Sequence, residues 1–425
     1  MSFGVAFLFL IVILLIGVPV AFSIGITSLL YVCTNGFPIA IVAQRTVEGM
    51  NSFTLLALPL FILAGEIMAY GCTPRILAFV NMILNRIPGA MGAVGALGSA
   101  FFGAISGSGV ATTAAIGGIV IPEMTKQGYG RGYSAALLAA CGGLGIMIPP
   151  SIPMVVYCVA SGESIGRLFM AGVVPGVFIT ASFIVVNAVI AKRKGYGVST
   201  RRTYTSREAL GICLDMLLPA MTPVIILGGV MTGIITPTEA GTTAVVYSLF
   251  LAMVIYRELK PNMLFGVLKK ATISSALILF IIGVSQALAW IITATNVAQS
   301  MSQFVLSISS NRYVIMALAL LVLLFLGTFM EATPIIVLTT PIFAPLMSAV
   351  GVDLIHYGVL VVVCIMVGGC TPPLAVRLFT GARIAGVKLE ETFKPIYGWV
   401  AVQILALIVL AAFPQVSMFL PSRLM

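Results

Sequence analysis

The chain has 425 residues, of which 60% are hydrophobic and 8% are charged, and its mean hydropathy is +1.17. Because a soluble domain carries about 25% charged residues, this composition excludes a soluble protein and predicts an all-α protein with many membrane-spanning helices. The formal net charge of +10 does not indicate nucleic-acid binding, since the basic residues cluster in short polar breaks typical of cytoplasmic loops. The short alternating segments of a transmembrane β-barrel are absent.

The first apolar segment begins near Phe3 and lacks the basic stretch and cleavage site of a signal peptide, so we expect a retained span. Residues 1–51 are predicted to form N-terminal scaffold helices. The seven cysteines are scattered at apolar positions without metal-ligand spacing, which indicates small hydrophobic side chains. Glu66 lies in the following apolar segment, where we expect it to have a structural role or to contact the scaffold.

Residues 52–190 are predicted to form a first repeat. The segment FGAISGSGVATTAAIGGIVIP, residues 102–122, places four small residues at 106–109 inside an apolar run. Backbone groups freed from a helix in hydrocarbon have no water to bond, so we predict a re-entrant hairpin at about 90–126 with its tip at these residues. The later span, about 132–160, is predicted to be broken by Pro149-Pro150 and its neighbouring glycines.

The second half repeats these features. A basic cytoplasmic loop is expected at 191–209, with connecting scaffold helices and an arm at 210–272. In the second repeat, at 273–395, we predict a hairpin at about 315–349 and a broken helix at about 356–381. A C-terminal helix is expected to follow at 396–425. Gly103 aligns with Gly327, and Pro149 aligns with Pro372, at an offset of about 223 to 224 residues, which indicates a duplicated unit.

Paired interrupted segments in two halves predict the binding site of a secondary transporter. The carbonyl and hydroxyl oxygens at a hairpin tip and a broken helix suit a hard cation such as Na+. The alternatives are close helix packing through small residues and simple proline kinks. The duplication favours the binding site.

Two charged residues of the second repeat, Glu331 and Arg377, stand out because they lie within apolar segments, where a buried charge costs at least about 2.5 to 3.5 kcal/mol. One interpretation is that Arg377 holds a carboxylate or sulfonate of the substrate. The alternatives are an ion pair between Arg377 and Glu331, or an Arg377 side chain that extends to the headgroups. Glu331 is expected either to bind polar groups of the substrate or to hold the hairpin.

With these motifs, the chain resembles the large membrane subunit of the tripartite ATP-independent periplasmic (TRAP) transporters over nearly its whole length. The resemblance rests on GAISGSGVATTAAIG, on the segment from PEMTKQGYGRGYSAALL to CGGLGIMIPPSIPMVVY, on GTFMEATPIIVLTTPIFAP and on GGCTPPLAVRLF, in this order. It implies an inverted-repeat elevator transporter in the bacterial inner membrane. It also implies a partner subunit with four membrane helices, a periplasmic substrate-binding protein, and uptake of an organic acid driven by the Na+ gradient.

The resemblance further implies at least two Na+ sites and no organic cofactor. The first Na+ site maps onto Ser106, Ser108, Gly145, Ile148 and Pro150, and the second onto Gly327, Met330, Thr333, Gly369, Thr371 and Pro372. Many members carry Asp where this chain has Glu331, and an uncharged residue where it has Arg377. We therefore expect a small anionic substrate, a carboxylate or a sulfonate, bound by Ser106, Ser108, Ser151, Glu331 and Arg377.

Two rival functions are weighed against TRAP transport. A stand-alone sodium/dicarboxylate symporter or antiporter of similar fold would need no binding protein. An intramembrane serine hydrolase would use Ser108 as its nucleophile and His356, the one histidine of the sequence, as its base. The hydrolase leaves the duplication unexplained, and its single histidine lies far from Ser108 in the sequence, so we expect a transporter and not an enzyme. The sequence contains no Walker A motif and so shows no ATP site.

Overall fold

The computed structural model describes residues 1–197, 204–297, 300, 303 and 311–424, and every regular element within these ranges is helical. The predicted all-α fold is therefore confirmed. The predicted basic loop at 191–209 lies partly outside the described residues; within them, one helix continues to Lys194 and the next begins at Ser206. Residues 298–299, 301–302 and 304–310 of the predicted second repeat also lie outside them.

Six helices in the described ranges are long and apolar enough to cross a membrane. Two further pairs of helices raise this number to eight if each bent pair is one span. One pair, Ala40–Met50 with Phe53–Met68, is bent by 58°, and the other, Arg131–Met147 with Ile152–Ser161, is bent by 46°. The second bend coincides with the predicted proline break.

Outside the predicted hairpins and broken helices, one long helix, α14 (Pro261–Ala294), contacts α2 (Val20–Thr34), α3 (Ala40–Met50) and α4 (Ala57–Met68). Small residues allow these close contacts, since Gly283 of α14 lies against Met50 and the backbone of Thr46. The elements outside the predicted hairpins and broken helices are α1 (Phe3–Leu15), α2 (Val20–Thr34), α3 (Ala40–Met50), a 3-10 turn (Phe53–Leu56), α4 (Ala57–Met68), α5 (Cys72–Leu84), α12 (Ser206–Met231), α13 (Pro237–Leu249), a π-helical turn (Phe250–Ile255) and α14 (Pro261–Ala294).

The first repeat contains the first hairpin, α6 (Ala90–Ser106) and α7 (Gly109–Lys126). Its tip turns at Gly107, whose φ of +61° is open to glycine at little cost, and the Ser108 side chain caps α7. The span that follows consists of α8 (Arg131–Gly142), the short α9 (Leu144–Met147) and α10 (Ile152–Ser161), and α11 (Ile165–Lys194) completes the unit.

The second repeat has the same order of elements. Its hairpin consists of α15 (Arg312–Gly327) and α16 (Ala332–Ala349), joined by residues 328–331. The broken span consists of α17 (Leu354–Gly368) and α18 (Val376–Ala385), separated by residues 369–375, which include Pro372-Pro373. The chain continues through α19 (Glu390–Ala412), α20 (Pro414–Met418) and α21 (Pro421–Leu424).

The largest buried cluster lies where the two repeats meet. Helix α8 is buried over nearly its whole length, and α17 is buried from Ile355 to Gly368. Outer helices instead expose large apolar side chains, such as Leu210 on α12, Phe265 on α14 and Leu321 on α15. An apolar exterior of this kind suits the hydrocarbon of a bilayer, while the buried interior positions the two hairpins.

Candidate binding site between the two repeats

The hairpin tips and the helix breaks of both repeats surround one cavity of about 160 Å³. An engineered cavity of roughly 150 Å³ binds benzene, so this volume suits a ligand with few non-hydrogen atoms. Helix α14 adds a single side chain, Ile278. The lining residues are Gly107, Ser108, Gly109, Val110, Ile146, Ile152, Pro153, Ile278, Gly327, Met330, Glu331, Ala332, Thr333, Ile365, Gly369, Leu374, Ala375, Val376 and Arg377.

Four helices begin at this cavity. The first residues of α7, α10, α16 and α18 are Gly109, Ile152, Ala332 and Val376, and all four line it. The N-terminus of a helix has free backbone N–H groups and a partial positive charge. Glu331 precedes α16 without forming a side-chain cap. Together these four N-termini make the cavity a favourable place for an anion.

The helices that end near the cavity bring their backbones into unusually close contact. A Cβ atom on Gly103 of α6 would lie 2.5 Å from the Cα atom of Gly145 in α9. In the second repeat, a Cβ atom on Gly327 of α15 would lie 3.1 Å from the Cα atom of Gly368 in α17. The glycines that align between the repeats therefore make the same kind of contact, which brings hairpin carbonyls beside those of a broken helix.

In the first repeat, the predicted cation ligands lie around the hairpin tip. Ser106 is buried and its hydroxyl lies 3.1 Å from that of Thr112, which also donates to the carbonyl of Ser108 at 2.8 Å. A Cβ atom on Gly145 would lie 2.8 Å from the same Ser108 carbonyl oxygen. The structure thus brings Ser106, Ser108 and Gly145 together.

The other two ligands predicted for the first site lie along the break. The backbone of Ile148 is extended, and its side chain lines a separate apolar cavity beside α11 and α12. A Cβ atom on Gly107 would lie 3.0 Å from the carbonyl oxygen of Pro150. The Pro150 carbonyl therefore lies beside the hairpin tip, while the Ile148 side chain faces away from the central cavity.

In the second repeat, four of the six predicted cation ligands line the cavity: Gly327, Met330, Thr333 and Gly369. The other two, Thr371 and Pro372, are half-buried in the break and do not line it. The Thr371 hydroxyl donates to the Val367 carbonyl at 2.8 Å. The backbone N–H of Leu374 donates to the carbonyl of Thr328 at 3.0 Å. This hydrogen bond connects the helix break to the second hairpin tip.

Of the five predicted substrate residues, Ser108, Glu331 and Arg377 line the cavity, whereas Ser106 and Ser151 do not. Ser151 is buried, its hydroxyl donates to the Ile146 carbonyl at 2.6 Å, and it accepts from the Met154 N–H. The hydroxyl of Ser151 therefore supports the first turn of α10, which begins at the cavity.

The Arg377 guanidinium is buried, with 3% of the residue exposed. Its Nη2 atom donates to the carbonyl of Met366 and lies 3.5 Å from the carbonyl of Ile365, in the last turn of α17. No carboxylate among the described residues pairs with it, so the ion pair with Glu331 is wrong. Extension to the headgroups is also wrong, since the guanidinium is enclosed by protein.

Sequence reasoning missed two contributors to the site. Thr112 lies one helical turn after Ser108 in the motif GVATTAAIG, and that spacing of four residues is the signal that could have identified it. Ile278 comes from the middle of α14, and no sequence pattern connects it with the hairpins.

Glu66 is half-buried on α4, next to Gly65. A Cβ atom on Gly65 would lie 2.9 Å from the Cα of Ser106.

The hydrolase alternative finds no support in the geometry. His356 lies in the first turn of α17, where its Nδ1 atom is 2.7 Å from the hydroxyl of Ser417, and it does not line the cavity. The Ser108 hydroxyl accepts a hydrogen bond from Ala111. The two residues of the predicted catalytic pair are therefore engaged with other groups at separate places.

Comparison with known proteins identifies relatives over nearly the full chain. Residues 7–416 match the family model described as the tripartite ATP-independent periplasmic transporter, DctM component. An isethionate TRAP transporter permease protein, DctMQ, from Oleidesulfovibrio alaskensis is 37% identical over 422 residues, which cover 98% of this chain and 65% of that protein. A sialic acid TRAP transporter large permease protein, SiaM, from Vibrio cholerae is 34% identical, and the match covers 96% of this chain and 95% of SiaM.

Among solved structures, the YdaH transporter of Alcanivorax borkumensis superposes with a TM-score of 0.57. The match covers 87% of both chains at 13% sequence identity. At this identity the likeness concerns the fold alone. The YdaH transporter is described as having an unusual topology.

Proposed function

Because the chain belongs to the DctM family of tripartite ATP-independent periplasmic transporters, we propose that it takes up a small organic anion into the bacterial cell together with Na+. The chain is a multi-pass protein of the bacterial inner membrane and a secondary-transport permease. It is not an enzyme, as its relatives are named as transporter permeases. Two of those relatives are named for isethionate and sialic acid, a sulfonate and a carboxylate.

The observation that carries the proposal is the meeting of four helix N-termini at one cavity. The substrate's anionic group binds between the starts of α7, α10, α16 and α18, which supply backbone N–H groups and partial positive charge. Ser108 contributes its hydroxyl from the first hairpin tip. The Glu331 carboxylate has no ion pair within the described residues and caps no helix, and it accepts from hydroxyl or amine groups of the substrate. Ser106 and Ser151 support the two helix starts of the first repeat.

Sodium ions are the second cargo, and they bind where the hairpin tips meet the helix breaks. Carbonyl and hydroxyl oxygens are suitable ligands for this hard cation, and the C-terminal ends of half-helices carry partial negative charge. We propose the first site at Ser106, Ser108, Gly145, Ile148 and Pro150, and the second at Gly327, Met330, Thr333, Gly369, Thr371 and Pro372. The close glycine contacts at Gly103 and Gly327 support both positions.

We propose an elevator movement in which the hairpins and broken helices travel together against the helices packed around α14. The burial of α8 and α17 between the repeats supports their movement as one unit. Small residues lie where the hairpins contact the helices around α14, as at Gly65 of α4 and Ser106 of α6. Such contacts allow one packed surface to slide along another.

Large permeases of this family work with a small membrane subunit and a periplasmic binding protein. The isethionate relative is longer than this chain, which matches 65% of it. We propose that a small subunit with four membrane helices is the membrane partner of this chain. A soluble periplasmic protein would deliver the substrate to the outward-facing cavity.

Membrane energetics favour this coupling. Moving one elementary charge across 100 mV is worth about 2.3 kcal/mol. If two Na+ ions accompany one monoanion, each cycle carries one net positive charge inward. The membrane potential then adds to the sodium gradient, and no ATP is required.

Reconstitution into proteoliposomes tests the proposal. The permease is reconstituted with a candidate small subunit and a candidate binding protein from the same organism, and uptake of isethionate and of small carboxylates is measured under an inward Na+ gradient. We expect uptake that ceases when choline replaces Na+ or when the binding protein is omitted. Uptake without the binding protein would instead support the stand-alone symporter. Uptake indifferent to Na+ would refute the coupling.

A further inference from the structure

Arg377 has surroundings that ordinary anion binding does not explain. It is the second residue of α18, where the helix dipole disfavours a cation. The side chain turns back to the end of α17, where Nη2 donates to the Met366 carbonyl. Backbone carbonyls at the end of a broken helix are the ligands that carriers offer to Na+.

The space for the guanidinium is built from glycines of both repeats. A Cβ atom on Gly369 would lie 2.8 Å from Nη2, and one on Gly109 would lie 3.0 Å from Cδ. A Cβ atom on Gly143, between α8 and α9, would overlap Nη1. The guanidinium therefore lies where the first hairpin and the two broken helices meet, and any larger residue at these glycines would displace it.

The orientation of the guanidinium favours the role of a cation over that of an anion grip. Nη1 is fully shielded and has no hydrogen-bond partner among the described residues, and it lies against Gly143. The other terminal nitrogen, Nη2, is engaged with carbonyl oxygens. No acidic side chain pairs with Arg377 in the part of the chain that the structure describes.

The two repeats differ at this position. With Pro149 aligned to Pro372, the residue that matches Arg377 is Met154, which is buried and uncharged. The positive charge is therefore a feature of one repeat, and it lies at the carbonyl end of α17 beside Gly109 and Gly143 of the other repeat.

We propose that the Arg377 guanidinium is a tethered cation that takes the place of one further coupling Na+ between the repeats. This inference rests on the Na+-coupled uptake proposed above. The carrier then binds its anionic substrate together with one Na+ ion fewer than a carrier that has a neutral residue at this position. Removing the tethered charge opens the carbonyl-lined space to a Na+ ion from solution.

The test compares the wild type with Arg377→Gln, Arg377→Lys and Arg383→Gln in proteoliposomes with the complete transporter. Arg383 lies on the same helix and is exposed, so its variant is the matched control. The number of Na+ ions per substrate is measured from the potential at which net flux reverses. We expect Arg377→Gln to use one more Na+ than the wild type, with uptake restored at high Na+. Arg377→Lys and Arg383→Gln should keep the wild-type number.

A second measurement needs no transport. The Tm of each purified permease is followed against Na+ concentration without substrate, and Arg377→Gln should show the steeper rise, since an additional bound ion stabilises the folded protein by mass action. An unchanged Na+ number and slope in Arg377→Gln would overturn the inference. An added Na+ in Arg377→Lys would overturn it as well. Wild-type uptake that needs no Na+ would instead refute the proposed function itself.

Discussion

The glycine contact between the first hairpin and the broken helix offers a sharp test of the Na+ site. We consider the change Gly103→Ala. Its Cβ would lie 2.5 Å from the Cα and 2.9 Å from the N of Gly145, and 3.1 Å from the carbonyl oxygen of Leu144. All three atoms belong to the backbone, so no side-chain rotation can relieve the overlap, and the hairpin must move by about 1 Å.

The size of the effect follows from two opposing contributions. Overpacking of a close contact costs about 1 to 3 kcal/mol, and a backbone overlap belongs at the upper end of that range. Replacing glycine with alanine within a helix stabilises the helix by up to about 1 kcal/mol, which offsets part of this cost. The net cost of about 2 kcal/mol corresponds to roughly a 30-fold loss of affinity if it falls on the state that binds Na+.

Initial uptake rates against Na+ concentration, with choline keeping the ionic strength constant, measure this loss. The matched control is Gly118→Ala in the other helix of the same hairpin, because its Cβ would meet no atom within 4 Å. We expect the Na+ concentration for half-maximal uptake to rise about 30-fold in Gly103→Ala and to stay at the wild-type value in Gly118→Ala. If both variants behave like the wild type at equal protein levels, the close contact does not shape the Na+ site.

Three further predictions concern the hairpin tips and the driving force. Thr112→Val removes two hydrogen bonds to the first tip, each worth about 1 kcal/mol, so half-maximal uptake should need up to roughly 30-fold more Na+. Thr125→Val, whose hydroxyl bonds only within its own helix, should not change the Na+ requirement, and an unaffected Thr112→Val would contradict the proposed site. Glu331→Gln should raise the KM for substrate severalfold without altering the Na+ dependence, because the carboxylate caps no helix; a changed Na+ dependence would assign Glu331 to holding the hairpin. A membrane potential of about 100 mV, negative inside, should raise substrate accumulation in the vesicles up to about 50-fold for each net positive charge carried per cycle, relative to vesicles held at zero potential. Equal substrate accumulation at both potentials would mean electroneutral transport.

The breaks in the structure were predictable because their causes are local. Gly107 and Ser108 disfavour a continuous helix by their own backbone and capping preferences, and Pro149-Pro150 removes two backbone donors from a span. These properties belong to the residues and need no knowledge of their neighbours. The repetition of both signals at one offset then indicated that the breaks belong to a site.

Other features depended on the tertiary arrangement. The bend of 58° after Met50 has no proline at the break itself, so sequence reasoning placed no broken span there. The partner of Arg377 was predicted to be a side chain or a ligand, yet its nearest acceptors are carbonyls of α17. Every residue has a carbonyl group, so no pattern of residue types reveals which carbonyl groups become free acceptors.

The geometry also suggests why anion and cation would bind together. The backbone carbonyl of Ser108 faces Gly145. The hydroxyl of the same residue caps α7, and the N-terminus of α7 lies at the cavity. An ion held by the tip oxygens therefore fixes the helix start that receives the anion. Because coupling between two binding sites is reciprocal, an anion on α7 must strengthen Na+ binding by the same factor. In the first hairpin, a tip of only two residues joins the C-terminal end of α6, which favours a cation, to the N-terminal end of α7, which favours an anion. This hairpin can therefore couple the binding of Na+ and substrate without any side chain that changes its charge.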